Sequence, residues 1–503
     1  MAGLNWKMQT KKIIYQIGRL DNNIITDYKF QIDEKTYESK LSSFALKKHF
    51  DESGDPSKVI LIYPSSVLLN ESSIKNDKRP KFNNKLDEFF DKLKANDTEE
   101  INQYLKNPYA YLEDHPHSKE ANDFIVIHSI GEYMGIEFST ALGDIVLRIL
   151  IDMMQRYLEE PFEEMYLDIS SGLNVYASAM IEAGRVFLTL ISLQKMSLQK
   201  PYLKVYISFS EPIIPANTTK TYEIYKDFQL DVKAFFQFPE NPNKDNIEKL
   251  NLQTYKSVFS AFVDSIFKDL LTEENSELKD KTNEIVYKAY LFYSALKNNT
   301  PLALYHLFSD KNFRYDEEEI DDITKELIRL LKDKFNSNFR NSPELDLNDF
   351  KKIFIMLSLA KGMIIVLKDR LKNITQKDEI SVSLKDLEDT FTGENSLYKP
   401  FGLDTNIDYL RRELKNIKNE VDKSWKNGYK WKTLYDLAEY NNQRGNNKNL
   451  QNNRRPNERN FKAHCGFERN ITEVSLVNND IIIKYSPKNF GKVVRTLLKS
   501  YML

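Results

Sequence analysis

The 503-residue chain is 41% hydrophobic and contains 30 Phe and 28 Tyr, enough apolar material for more than one packed core, which excludes wholesale disorder. A formal net charge of −2 excludes nucleic-acid binding through a global positive field and confines any such binding to a local patch. One cysteine excludes an intramolecular disulfide framework and a cysteine-based zinc site.

From Lys11 to about Pro212 the pattern is α/β. Short apolar runs predict buried strands at Ile13–Gly18, Val59–Tyr63, Phe124–Ile127, Met165–Ile169 and Leu203–Ile207. Helical patterns intervene at roughly 34–50, 82–106, 136–159 and 173–198. Strands alternating with helices predict a Rossmann-like, mainly parallel sheet. No GxGxxG follows the first strand, so the usual dinucleotide site is not supported. His115 and His117 read as loop residues beside Pro116 rather than as metal ligands.

In such sheets ligands bind beyond the carboxyl ends of the strands. The turns there are Gly18-Arg19-Leu20-Asp21, Pro64-Ser65-Ser66, His128-Ser129-Ile130-Gly131-Glu132 and Ser170-Ser171-Gly172-Leu173-Asn174. Small hydroxyl and glycine residues let a ligand approach the backbone, and helix N-termini favour phosphate. The same residues also serve as ordinary caps and turn formers. Arg19 is either a phosphate ligand or a solvated charge.

After Pro212, residues Tyr222–Phe238 predict a further strand or two, and Pro239–Asn243 reads as a linker. Leu252, Tyr255, Val258, Phe259, Phe262, Ile266 and Leu270 then form a helical stripe. Similar stripes cover 281–297, 317–336, 346–371, 404–421 and 430–440, while 374–402 breaks the period and reads as an insertion or long loop. The expected organisation is an α/β domain over 1–215, a connector over 216–248 and a helical domain over 249–503. No signal peptide is read at the start, and no apolar run is expected to approach the ~20 residues of a membrane span, so a cytoplasmic protein without a membrane partner is expected.

Residues 441–462 hold six Lys or Arg against one Glu and read as a loop, either simply solvated or an electrostatic guide for RNA phosphates. In the guiding reading Arg454, Arg455 and Lys462 are the contacts. The segment runs into Arg459-Asn460-Phe461-Lys462-Ala463-His464. Arg can stabilise charge developing on a phosphate and His can pass protons near neutral pH, a pairing that suits RNA cleavage without a metal. Arg-x4-His is too common by chance to carry this alone. On a regular helix the two side chains would stand ~140° apart, a difficulty relieved by a site assembled across a two-fold axis. A hairpin over Ile471–Tyr485, Pro487 and a final helix close the sequence.

At these residues the chain resembles the CARF–HEPN ribonucleases that accompany type III CRISPR systems, in the branch marked by D-x-T-H-G-x-N. Asp168-Ile169-Ser170-Ser171-Gly172-Leu173-Asn174 stands where that motif should, with Ser-Ser in place of Thr-His, and Arg459 to His464 stands where the HEPN Arg-x4–6-His motif should. The resemblance implies a CARF domain that dimerises and binds a cyclic oligoadenylate, tetra-adenylate being the commoner, and a HEPN domain that cuts single-stranded RNA between subunits of a homodimer or a larger assembly of dimers. It implies Arg459 and His464 as the catalytic pair, with Asn460 as a further polar contact. Ser170, Ser171, Gly172 and Asn174 become messenger contacts, joined by Ser129, Gly131, Gly18 and Arg19. No metal or other cofactor is implied, and loss of the motif His puts self-cleavage of the messenger in doubt. Two other readings stand beside this one: a nucleotide-sensing regulator that binds nucleic acid or a partner without cutting, and a constitutive HEPN toxin, which has no need of the α/β half.

Overall fold

The five apolar runs all form strands, and five more join them. The computed structural model describes residues 11–20, 24–74, 81–82, 85–196, 203–213, 219–239, 252–268, 270, 276–309, 316–370, 380–424, 431–444 and 458–499. Two units are distinguished: residues 1–192, 201–234 and 324–352 form the first, and 193–200, 235–323 and 353–503 the second.

The first unit contains β1 (Lys12–Ile17), β2 (Tyr28–Ile32), β3 (Lys35–Ser39), β4 (Ser57–Pro64), β5 (Asp123–Ile127), β6 (Ile130–Tyr133), β7 (Ile136–Ser139), β8 (Glu164–Asp168), β9 (Lys204–Ser210) and β10 (Thr221–Gln229). Eight of these make one sheet in the order β3-β2-β10-β9-β8-β1-β4-β5, with β6 and β7 a separate hairpin. From β9 to β5 every neighbour is parallel. β10 runs antiparallel to β9, and β2 pairs parallel to β10. Within the parallel block the order reverses between β8 and β1, and that switch point is where such sheets leave a crevice for a ligand. The central strands are buried almost without alternation, as expected for a sheet covered on both faces. One covering element is the helix Leu142–Glu159, whose Asp152 accepts a hydrogen bond from the buried Tyr15 hydroxyl at 2.9 Å.

The expected helices differ in instructive places. Residues 34–50 are not one helix: 35–39 is β3, with Tyr37 and Ser39 buried between exposed neighbours, the period-two signature of a strand. The helix Ser42–Glu52 follows. The 82–106 pattern breaks at Asn96, which has φ 55°, and Asp97 then caps the helix Thr98–Lys106 by accepting from the N–H groups of Glu99 and Glu100. Residues 136–139 form β7, joined to β6 by a turn with positive φ at Met134 and Gly135. The helix Asn174–Gln194 corrects the membrane reading: by length and composition it is apolar enough to span, but 67% of the qualifying stretch is buried inside the protein, as in a core helix. His115 and His117 are buried at the start of the short helix Pro116–Glu120, His115 Nδ1 accepting from the His117 N–H at 3.2 Å.

The units do not follow the expected boundaries at 215 and 249. β10 belongs to the sheet, and residues 324–352 pack into the first unit. There Phe339 stacks on His128, the His128 Nε2 lies 2.7 Å from the Asn338 carbonyl, and Asp144 accepts from the backbone N–H groups of Glu344 and Leu345 at 2.9 Å.

The second unit is helical around one small sheet. Its longer elements include helices Ser276–Lys297, Pro301–Ser309, Asp404–Ser424 and Pro487–Lys499. The sheet contains β11 (Val382–Ser383), β12 (Lys432–Thr433), β13 (Thr472–Val477) and β14 (Asp480–Tyr485), in the order β11-β14-β13-β12. β13 and β14 form the expected hairpin, with Asn478 and Asn479 both at positive φ. The reading of 374–402 as loop is corrected beyond residue 380: Ser383 caps the helix Leu384–Thr392, which buries Leu384, Leu387 and Phe391 along one face. The basic segment is likewise helical as far as Arg444, in the helix Leu434–Arg444. Arg454, Arg455 and most of the Pro239–Asn243 linker lie outside the described residues.

Candidate functional site

Two places gather the residues singled out in the sequence, one in each unit. In the first unit, the turns after β1 and β8 flank the switch point. Gly18 N–H donates to the Ile62 carbonyl at 2.8 Å, and a Cβ on Gly18 would fall 2.2 Å from the Tyr63 ring, so Gly18 is required for close packing. Arg19 is partly exposed, and its charge acts on Asp168 at the end of β8. Asp168 is buried; burial raises its pKa, and hydrogen bonds from Ser170 and Ser42 together with Arg19 oppose that rise.

Ser170 is bound into this turn. Its hydroxyl donates to Asp168 Oδ1 at 2.5 Å and accepts from the Ser210 N–H at 2.8 Å. Ser171 Oγ is shielded and has no hydrogen-bond partner among the described residues. Gly172 is exposed, with φ +74°, and open space lies where a Cβ would be. Asn174 is exposed at the first position of its helix, near Leu173 and Val175, which are 37% and 46% exposed. The 170–174 turn therefore presents backbone and a helix N-terminus to open space, an arrangement that suits an anionic ligand.

Ser129 sits differently. It is fully buried, and its hydroxyl accepts from the Ser66 N–H at 2.8 Å and lies 3.3 Å from Ser65 Oγ. In this arrangement it braces neighbouring turns rather than facing open space. Gly131, in β6, is exposed with φ +110°, and the preceding Ile130 N–H donates to the Tyr176 hydroxyl at 3.1 Å.

In the second unit, His464 lines a cleft of about 250 Å³ together with Glu413, Asn416, Ile417, Asn419, Glu420, Leu434, Phe467 and Arg469. The chain reaches His464 through the short helix Glu458–Ala463, anchored by buried Phe461. It then reverses at Cys465 and Gly466, both left-handed, with Gly466 N–H bonding to the Phe461 carbonyl at 2.8 Å. Tyr485 and Thr300 crowd Gly466 closely enough that a Cβ would fall within 3.1 Å of both. His464 is thus placed at a helix C-terminus, where a positive charge is favoured.

The opposite wall comes from helix Asp404–Ser424, whose spacing puts Glu413, Asn416 and Glu420 on one face. Glu413 Oε2 lies 3.2 Å from His464 Nδ1. That hydrogen bond is the largest cause of a raised His464 pKa, with burial opposing it. Arg469 donates to Glu420 Oε1 at 2.6 Å across the same cleft. Sequence reasoning missed Glu413, Glu420 and Arg469: the first two are polar positions on an amphipathic helix, and Arg469 follows the motif without belonging to it.

Arg459 and Asn460 are exposed on the Glu458–Ala463 helix and are not among the residues lining the cleft, so the structure does not bring Arg459 and His464 to one pocket within the chain. Lys462 is partly exposed on the same helix. Among the described residues, no group of three or more His, Cys, Asp or Glu side chains is arranged to hold a metal ion.

Family models match a segment of each unit. Residues 12–212 match the CARF domain of the CRISPR system endoribonuclease Csx1, and residues 403–488, which hold the cleft, match the HEPN domain of the same endoribonuclease. No curated protein matches the chain.

Proposed function

The chain belongs to the CARF–HEPN ribonucleases of CRISPR systems, and from that premise we propose that it is an endoribonuclease switched on by a cyclic oligoadenylate, with tetra-adenylate the first choice. The observation that carries the proposal is the Glu413–His464 pair lining a cleft inside the segment that matches the HEPN domain. The Ser170–Asn174 turn, at the switch point of the CARF-matching sheet, is the proposed messenger contact, with Arg19 beside it. Its exposed Gly172 and Asn174 support this, while Ser129 contributes by holding the turns.

The reaction is attack by an RNA 2′-hydroxyl on its own phosphate. A bond forms between the 2′-oxygen and phosphorus, the bond from phosphorus to the 5′-oxygen breaks, and a 2′,3′-cyclic phosphate and a 5′-hydroxyl result. Glu413 occupies His464 Nδ1 and so leaves Nε2 for substrate. As imidazolium, His464 protonates the departing 5′-oxygen. At a two-fold site a second copy of His464 accepts the 2′-hydroxyl proton, while Arg459 from each subunit steadies the phosphorane oxygens. This chemistry needs no metal, and a cytoplasmic homodimer acting on single-stranded RNA is the setting the proposal assigns. The test is cleavage of a fluorescent single-stranded RNA in EDTA, with and without cyclic tetra-adenylate, beside His464→Ala. Cutting that depends on messenger and His464 but survives EDTA is the expected result; cutting that persists in His464→Ala removes His464 from the reaction.

A further inference from the structure

Arg469 stands five residues after His464, as Arg459 stands five before it. Of these two arginines, it is Arg469 that lines the His464 cleft. Its backbone is fixed: the carbonyl accepts from the Tyr435 N–H at 3.0 Å, and the next residue, Asn470, donates twice to the buried Glu468 carboxylate at 2.8 Å. Its head group is not: the side chain is 43% exposed and meets one oxygen of Glu420. A guanidinium has five N–H donors in a fork that matches two phosphate oxygens, and a single carboxylate oxygen leaves that fork largely unused.

The charge balance of the cleft points the same way. Glu413 and Glu420 both line it, so an incoming phosphodiester meets two carboxylates. Protonated His464 offsets one, and among the described lining residues Arg469 is the Arg or Lys that pairs with the other. Losing Arg469 would leave the cleft less favourable to an anionic substrate. A half-exposed ion pair is a weak one, so a phosphate can displace Glu420 readily.

Resting on the ribonuclease reading, we propose that Arg469 is a phosphate-contacting residue of the cleavage site, held by Glu420 until RNA enters. On this account the HEPN cleft carries its own same-chain arginine, and Arg459 reaches the phosphorane in the partner's cleft.

The experiment compares full-length wild type with Arg469→Ala, Arg469→Lys and Glu420→Gln, assaying messenger-dependent cleavage and thermal midpoint. Arg469→Ala is expected to lower kcat/KM roughly 100-fold, as loss of a single oxyanion donor does, with partial recovery in Arg469→Lys. Glu420→Gln, which releases Arg469, is expected to lower the KM for RNA while cleavage is retained. Were the pair merely structural, both substitutions would weaken cleavage together and lower the thermal midpoint together, and that result overturns the proposal. A second arm measures RNA affinity against salt in His464→Ala, with and without Arg469→Ala. Loss of one phosphate contact should reduce the slope of log affinity on log salt by about 0.7. An unchanged slope overturns the phosphate assignment even where wild type cuts nothing, a failure that would otherwise fall on the ribonuclease reading alone.

Discussion

The 3.2 Å contact from Glu413 to His464 Nδ1 sets both the orientation of the imidazole and its readiness to carry a proton. Because the pKa is raised, the charged form is stabilised below the ordinary histidine value and persists above it, until pH passes the raised value. Cleavage that uses His464 as an acid therefore falls as pH rises through that raised value. Glu413→Gln should move this limb of the pH–rate profile to lower pH and slow cleavage at neutral pH by roughly 10- to 100-fold, part of what a positioned acid contributes. A profile identical to wild type would show that the carboxylate does not tune the acid. His464 was legible because a motif marks it. Glu413 was not, because its partner lies 51 positions away in sequence and only the packing of one helix against a turn brings them together.

Among elements, local patterns were readable wherever chain chemistry alone decides them. The β13–β14 hairpin follows from two Asn residues that tolerate positive φ between alternating apolar runs. β3 was not readable, because its Tyr and Ser face inward only once β2 pairs with it. The packing of 324–352 into the first unit was hidden for the same reason: its contacts are long in sequence, with His128 meeting Asn338 across 210 positions. Burial pushes the His128 pKa down to about 4. A buried neutral histidine contributes stability above the unfolded value, and that contribution is lost as pH falls from about 6.5 through 4, amounting to about 3 kcal/mol for a full shift. His128→Gln should lose less stability than wild type between pH 7 and 4 in urea titrations. Equal losses would place the acid sensitivity of this unit elsewhere, for instance at buried His115.

For the whole molecule, a second messenger can switch RNA cleavage only if it binds the cutting arrangement more tightly than the resting one. The Ser170–Asn174 turn is where that preference is proposed to arise, and Ser171, whose Oγ is shielded and has no hydrogen-bond partner among the described residues, is the position at which a bulky side chain tests it. Ser171→Trp should raise the messenger concentration needed for half-maximal cutting at least 10-fold while leaving the maximal rate near wild type; an unchanged activation curve would remove this turn from the messenger site. Coupling of this kind is reciprocal for binding. In His464→Ala, expected to bind RNA without cutting it, saturating messenger should tighten RNA binding, and saturating RNA should tighten messenger binding by the same factor, on the order of 5- to 150-fold for an ordinary allosteric coupling. Calorimetric titration in both orders measures the two factors. If both equal one, the messenger does not act through RNA affinity, and its effect must lie in the chemical step, in the alignment of His464 and its arginines around the phosphate.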